Sequence, residues 1–171
     1  MILEEEQIDL NEPPINFKTM LLIDNSTKLN EDIDNLKIQI EVCNYMFSHK
    51  YTENVKFGVA TSGSGEIGVR CSPTNSFNAL KLVLKNINCS GICNIFNGLK
   101  QTSVCFSKNT NENEINRIHC FLNEDYDISL EKMTKIKNLC DKYDIIIDIF
   151  IICDHEVEIA KYQNILSEKS F

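Results

Sequence analysis

Two side chains at the end of one apolar run are the first that could do chemistry. Thr19-Met20-Leu21-Leu22-Ile23 gives way at once to Asp24-Asn25-Ser26. A carboxylate and a hydroxyl two residues apart on an extended chain project to the same side. Both are hard oxygen ligands of the kind that Mg²⁺ takes. Glu124 or Asp125, after a second apolar run, could reach the same cleft. The plainer reading of Asp24 and Ser26 is structural, since such residues cap helices and brace loops by hydrogen bonds. The spacing by itself favours that plainer reading.

Other chemistries fit less well. Nucleophilic catalysis needs a base within reach of the nucleophile. Of His49, His119 and His155, only His155 falls where Ser26 also lies, at the end of a strand-like run, next to Asp154. A Ser26/His155/Asp arrangement is therefore conceivable. Ser26 is not in a nucleophile-elbow sequence, however, and no oxyanion hole is evident. Gly63-Ser64-Gly65-Glu66-Ile67-Gly68 matches the dinucleotide fingerprint letter by letter. The residues after it, Val69-Arg70-Cys71-Ser72-Pro73, are strand-like, whereas the fingerprint requires a helix to start inside it. Cys89 and Cys93 are four apart with no second Cys/His pair at zinc spacing. On these grounds the chain is not expected to be an enzyme.

The elements that must position Asp24 and Ser26 follow from hydrophobic period. Residues 18–24 read as a strand. Ile33, Leu36, Ile40, Cys43 and Phe47 recur at helical spacing, which predicts an amphipathic helix ending near Lys50. Val55–Thr61 is strand-like, Ser62–Gly65 a turn, and Glu66–Cys71 strand-like again, so a hairpin is expected with one antiparallel edge strand. Ser72-Pro73 is expected to open the next helix, with Phe77, Leu80, Leu84 and Ile87 on one face. Another helix carries Ile95, Leu99, Thr102 and Phe106. Ile115–Leu122 reads as a strand, and Ser129–Lys142 as a helix with Leu130, Met133, Ile136 or Lys137, and Cys140 inward. Ile145–Cys153 is almost continuously apolar, as a central parallel strand would be. Glu156–Leu166 reads as a last helix. Strands alternating with helices predict an α/β fold with a mostly parallel sheet and helices on both faces.

Residues 1–17 are acidic and contain Pro13-Pro14, which blocks a helix; they read as an N-terminal arm before a single domain spanning 18–171. The net charge of −8 argues against a nucleic-acid surface, which relies on Lys and Arg, and against an anionic membrane face. No apolar segment approaches the roughly 20 residues needed to cross a bilayer. Nor does Met1-Ile2-Leu3-Glu4-Glu5-Glu6 have the charge pattern of a signal peptide. An intracellular location is expected, and the eight cysteines then read as thiols. Cys43, Cys105, Cys120, Cys140 and Cys153 lie among apolar residues and read as small hydrophobes.

The ordered pattern resembles a von Willebrand factor type A domain. Its carriers are the strand into Asp24-Asn25-Ser26, the long helix, the hairpin, and the later strand ending in acidic residues. The resemblance implies a three-layer, Rossmann-like fold and a metal-ion-dependent adhesion site of pattern Asp-x-Ser-x-Ser, with a later Thr and a later Asp. Asp24 and Ser26 match. Lys28 stands at the third oxygen position, Cys93 or Asn94 at the Thr position, and Glu124 at the Asp position. The implied site, Asp24, Ser26 and Glu124, is thus degenerate, and no cofactor is expected beyond Mg²⁺ at such a site.

Within the family, four stretches resemble the branch found in the regulatory particle of the 26S proteasome. They are Met20–Ser26, Asn54–Val59, Ser72-Pro73-Thr74, and Arg117–Leu122 with Ile147-Asp148-Ile149. That resemblance implies a non-catalytic scaffold in the cytoplasm and nucleus, acting in ubiquitin-dependent protein degradation. Its partners would be other lid and base subunits of the particle. Nothing after Ile159 matches a ubiquitin-interacting motif, so ubiquitin binding is not carried over. A von Willebrand A scaffold of another complex, such as the transcription and repair factor TFIIH, is the alternative. The cysteine-rich zinc modules expected of it are not matched.

Overall fold

The computed structural model describes residues 16–30, 32–50, 55–65, 67–106, 114–123 and 129–152, with side chains described throughout except at 43–50. The expected last helix at 156–166 lies outside these residues, as do residues 1–15 of the expected arm, Glu124, Asp125, Cys153 and His155.

Strand β1, Asn16–Ile23, is the axis of the sheet. It begins two residues earlier than its apolar run suggests, so Asn16 and Phe17 belong to the sheet and not to an arm. Its inner half is buried on both faces, which is why Met20 to Ile23 reads as an unbroken apolar run. Parallel neighbours flank it: β2, Val55–Thr61, on one side and β4, Glu114–Leu122, on the other. Strand β5, Ile145–Ile151, lies parallel beyond β4, and β3, Gly68–Thr74, antiparallel beyond β2. The described order is β3-β2-β1-β4-β5.

Helices cover both faces. Met20 and Leu22 of β1 pack with Ile118, Cys120 and Leu122 of β4 beneath α3, Ile95–Ser103, and α4, Leu130–Tyr143. Leu21 and Ile23 face the other way, against Ile33, Leu36 and Ile40 of α1, Ile33–Lys50, and Leu80 and Leu84 of α2, Phe77–Lys85. Burying each such side chain stabilises the fold by about 1.5–3 kcal/mol. The alternation along β1 therefore locks its register, because a one-residue slip would exchange two cores at once. The result is the expected α/β three-layer arrangement, mostly parallel with one antiparallel edge strand.

Three local expectations change. Ser72 and Pro73 do not open a helix; they lie in β3, and α2 starts at Phe77 with the Ser76 hydroxyl accepting from the Ala79 amide at 3.3 Å. Proline serves both places, since its missing N–H is tolerated at a helix start and on an edge strand alike. Strand β5, expected at the centre, is an edge among the described residues. Leu130, expected inward, is exposed at the first position of α4, while Met133, Ile136 and Cys140 are buried as expected.

Candidate functional site

Parallel strands end together, so the turns after β1, β2 and β4 meet at one edge of the sheet. The Asp24 amide donates to the Phe121 carbonyl at 2.8 Å, and the Ser62 amide donates to the Ile23 carbonyl at 3.1 Å. These two bonds carry the ladder past the ends of the strands and set Asp24, Asn25 and Ser26 between the β2 and β4 loops. All three are buried.

Asp24 is used as a brace. Its Oδ1 accepts from the Ser26 amide at 2.9 Å, and its Oδ2 from the Asn123 amide at 3.5 Å. The first bond closes a short Asx-type turn, which aspartate favours because its oxygen reaches the amide two residues on. Ser26 then leads into a 3₁₀ turn over Thr27–Leu29 without capping it by its side chain. Its Oγ is buried and has no hydrogen-bond partner among the described residues. Cys93 is brought in from the loop before α3, with its Sγ 3.3 Å from the Ser62 Oγ.

Asn25, between the two residues singled out by pattern, is the hub. Its Oδ1 accepts from the Gly63 amide at 2.6 Å, its Nδ2 donates to the Asn88 carbonyl at 3.0 Å, and its own carbonyl accepts from the Ser90 amide at 2.7 Å. One side chain thus ties the β1, β2–β3 and α2–α3 loops together. Gly63 must lack a side chain here, since a Cβ would lie 2.7 Å from the Asn25 carbonyl oxygen. The Thr27 amide and the Ser64 amide add bonds to the carbonyls of Gly91 and Ile92, at 3.1 and 2.7 Å. The signal for this hub was an amide-bearing residue directly after a buried strand. Its partners lie 38 and 63 residues away, beyond any local pattern.

The donor chemistry does not suit Mg²⁺. That ion wants about six oxygens in near-octahedral array. Among the described residues no group of three His, Cys, Asp or Glu side chains is placed to hold a metal ion. Asp24 is the one carboxylate among the described residues that match the expected ligand positions, with the Ser26 hydroxyl beside it in sequence. Lys28, exposed on the 3₁₀ turn, offers an ammonium where a third oxygen ligand is expected, and Cys93 offers a soft sulfur. Glu124 lies outside the described residues.

The remaining chemical candidates have other surroundings. The Gly63–Gly68 stretch runs into strand β3, not into a helix, so it lacks the helix N-terminus a pyrophosphate would need. His119 lies within β4 and pairs with Asp148 of β5, with Nε2 3.2 Å from Oδ2. Burial pushes its pKa below the ordinary histidine value, Asp148 opposes that, and Arg117 adds to it. Burial also raises the thiol pKa of Cys71, Cys89, Cys105 and Cys120, and that of Cys140 to about 12. The described cysteines are free thiols, and these five are held protonated as small hydrophobes. No described helix is long and apolar enough to cross a membrane.

No family model matches the sequence, and no curated protein matches it. Solved structures do match. The fold is of the von Willebrand A type, with five strands among the described residues, one antiparallel pair and helices on both faces. The VWA domain of SpRpn10 is similar over 91% of this chain and 85% of that one, at a TM-score of 0.70 and 16% identity. Proximal thread matrix protein 1 of the mussel byssus, whose MIDAS motif holds zinc in one structure, is similar at a TM-score of 0.69 and 13% identity. A von Willebrand factor type A protein from Catenulispora acidiphila gives 0.67 and 14%. This chain spans 42% of the mussel protein and 36% of the last. At these identities the likeness is one of fold.

Proposed function

We propose that this chain is a non-catalytic structural subunit of the regulatory particle of the 26S proteasome, related in role to its non-ATPase subunit 4. In this reading it steadies the association of lid and base during ubiquitin-dependent degradation, in the cytoplasm and nucleus. Its partners are lid and base subunits, with neither nucleic acid nor membrane among them. The observation that carries the reading is the likeness to the SpRpn10 domain over nearly the whole of both chains. The internal use of the Asp24-Asn25-Ser26 turn supports it. The side chains of Asp24 and Asn25 are engaged in holding the loops of this edge in shape. The edge works without a catalytic residue or a cofactor, and no ubiquitin site is assigned.

Affinity purification of the tagged chain from its native source, followed by mass spectrometry, tests this. Proteasome lid and base subunits are expected among the recovered proteins. Recovery of helicases and other TFIIH components instead would place the scaffold in that complex, and recovery of neither set would end both readings.

A further inference from the structure

The charge of this chain is unevenly placed. The whole sequence has 17 Lys and Arg against 25 Asp and Glu, yet the described residues carry more cations than carboxylates. Part of that surplus lines the seam between α3 and α4. The spacing of Lys132, Lys135, Leu139 and Lys142 sets them along one side of α4. That side faces α3, because the Lys132 Nζ sits 5.7 Å from the centre of the Phe96 ring. Lys100, one turn after Phe96, is exposed on α3. Lys135 is held by Glu131 at 2.6 Å, but no carboxylate among the described residues pairs with Lys100, Lys132 or Lys142. Apolar surface lies among these cations. Leu139 is half-buried, and Val104, just past the end of α3, is 70% exposed.

We propose that the acidic segment Met1–Ile15 of this same chain docks along the α3–α4 seam. Its sequence holds Glu4, Glu5, Glu6, Asp9 and Glu12 with no Lys or Arg, and Ile2, Leu3, Ile8 and Leu10 among them. Its carboxylates meet Lys100, Lys132 and Lys142, and its aliphatic side chains cover Leu139 and Val104. Exposed ion pairs contribute little one by one. The contact therefore rests on several of them together, on the apolar surface between them, and on the tether.

The start of β1 is well placed for this. Asn16 pairs with Glu114 at the end of the sheet where the parallel strands begin. Further along β4, the Asn116 Nδ2 donates to the carbonyl of Tyr143, the last residue of α4, at 2.9 Å. The segment therefore joins the fold at the Lys142 end of the seam. α4 has 14 residues and is about 21 Å long. The stretch Met1–Ile15, fully extended, spans up to about 50 Å. A tethered segment also meets the seam at an effective concentration on the order of millimolar, ahead of any acidic partner. The net charge of −8 disfavours a nucleic acid or an anionic lipid surface as the occupant. The docked segment is a built-in cover, which an acidic segment of another protein must displace to reach the same lysines. The proposal is independent of which assembly the chain joins, and it can fail while the scaffold reading stands.

The test is methyl NMR on the full chain. Through-space contacts are expected between methyl groups of Ile2, Leu3, Ile8 or Leu10 and those of Val104 or Leu139. They should be unchanged on dilution and weakened at about 1 M salt, where the screening length is about 3 Å. Replacing Glu4, Glu5 and Glu6 together by Gln should lower the docked-to-undocked ratio about threefold to tenfold, read from the Val104 and Leu139 methyl shifts. Lys100→Glu with Lys132→Glu should release the segment, and adding Glu4→Lys, Glu5→Lys and Glu6→Lys should restore it. Absence of these contacts, contacts to a different face, indifference to salt, or a charge reversal that restores nothing would overturn the proposal. Contacts that weaken on dilution would assign the seam to a second copy and overturn it too. The wild-type spectra need no variant, so they decide even where a variant fails to fold.

Discussion

The amide of Gly63 donates to the side-chain oxygen of Asn25 at 2.6 Å, across the carboxyl edge of the sheet. Neither residue can be exchanged without disturbing the other. The glycine has no room for a Cβ, and the asparagine uses both ends of its amide, accepting from Gly63 and donating to Asn88.

Asn25→Ala removes the acceptor of the Gly63 amide and the donor to the Asn88 carbonyl, leaving two groups without their partner. A loss of about 2–4 kcal/mol is expected, from two lost hydrogen bonds at a buried position. Urea unfolding followed by circular dichroism measures it. A loss under about 0.5 kcal/mol, the usual size for an uninvolved surface position, would show that Asn25 is not the hub.

Gly63→Ala presses a methyl group into the Asn25 backbone, and about 1–3 kcal/mol of destabilisation is expected from the overpacking. The double variant with Asn25→Ala should lose less than the sum of the two, because the residues share one contact. Strict additivity would contradict the geometry.

Ser26→Ala is expected to leave stability unchanged or to raise it by up to about 1 kcal/mol, since the buried hydroxyl has no partner to lose among the described residues. Calorimetric titration with Mg²⁺ is expected to give no binding heat, because the donor set is poor for that ion. A heat that Asp24→Ala removes, or a clear Mg²⁺-dependent loss on Ser26→Ala, would assign the hydroxyl to a metal after all.

The pH dependence follows from His119. Its folded-state pKa is depressed, mainly by burial. Above the unfolded value near 6.5 both states are neutral and the contribution to stability is fully present. As the pH falls below it, the unfolded chain takes up a proton first, so stability is lost downward towards the folded value. Unfolding midpoints measured between pH 7.5 and 5 should fall more steeply for the wild type than for His119→Gln. Parallel curves would mean that His119 titrates alike in both states.

Much of the fold could be read from residue patterns, and the reason differs by element. Met20 to Ile23 announced a strand buried on both faces, and Ile33, Leu36 and Ile40 announced the helix that lies against one of them. Pro73 misled because its chemistry suits a helix start and an edge strand equally. β5 misled because an apolar run does not say whether a strand has one neighbour or two. At the site, Asp24 and Ser26 stood out by type and spacing. Asn25 did not, because its role is defined by loops that only the folded sheet brings near.

The place of β1 has a consequence for how the chain comes to be folded. Lys18 pairs with Glu114, 96 residues further on, at 2.7 Å. The first described strand to be made therefore keeps one flank open until β4 exists. Closing so long a loop before the contact can form is the slow kind of folding step. In the order of synthesis, the apolar β1 precedes its second neighbour by about 90 residues of chain. A chaperone that shields Met20 to Ile23 over that interval would speed the yield of native protein without touching its final stability.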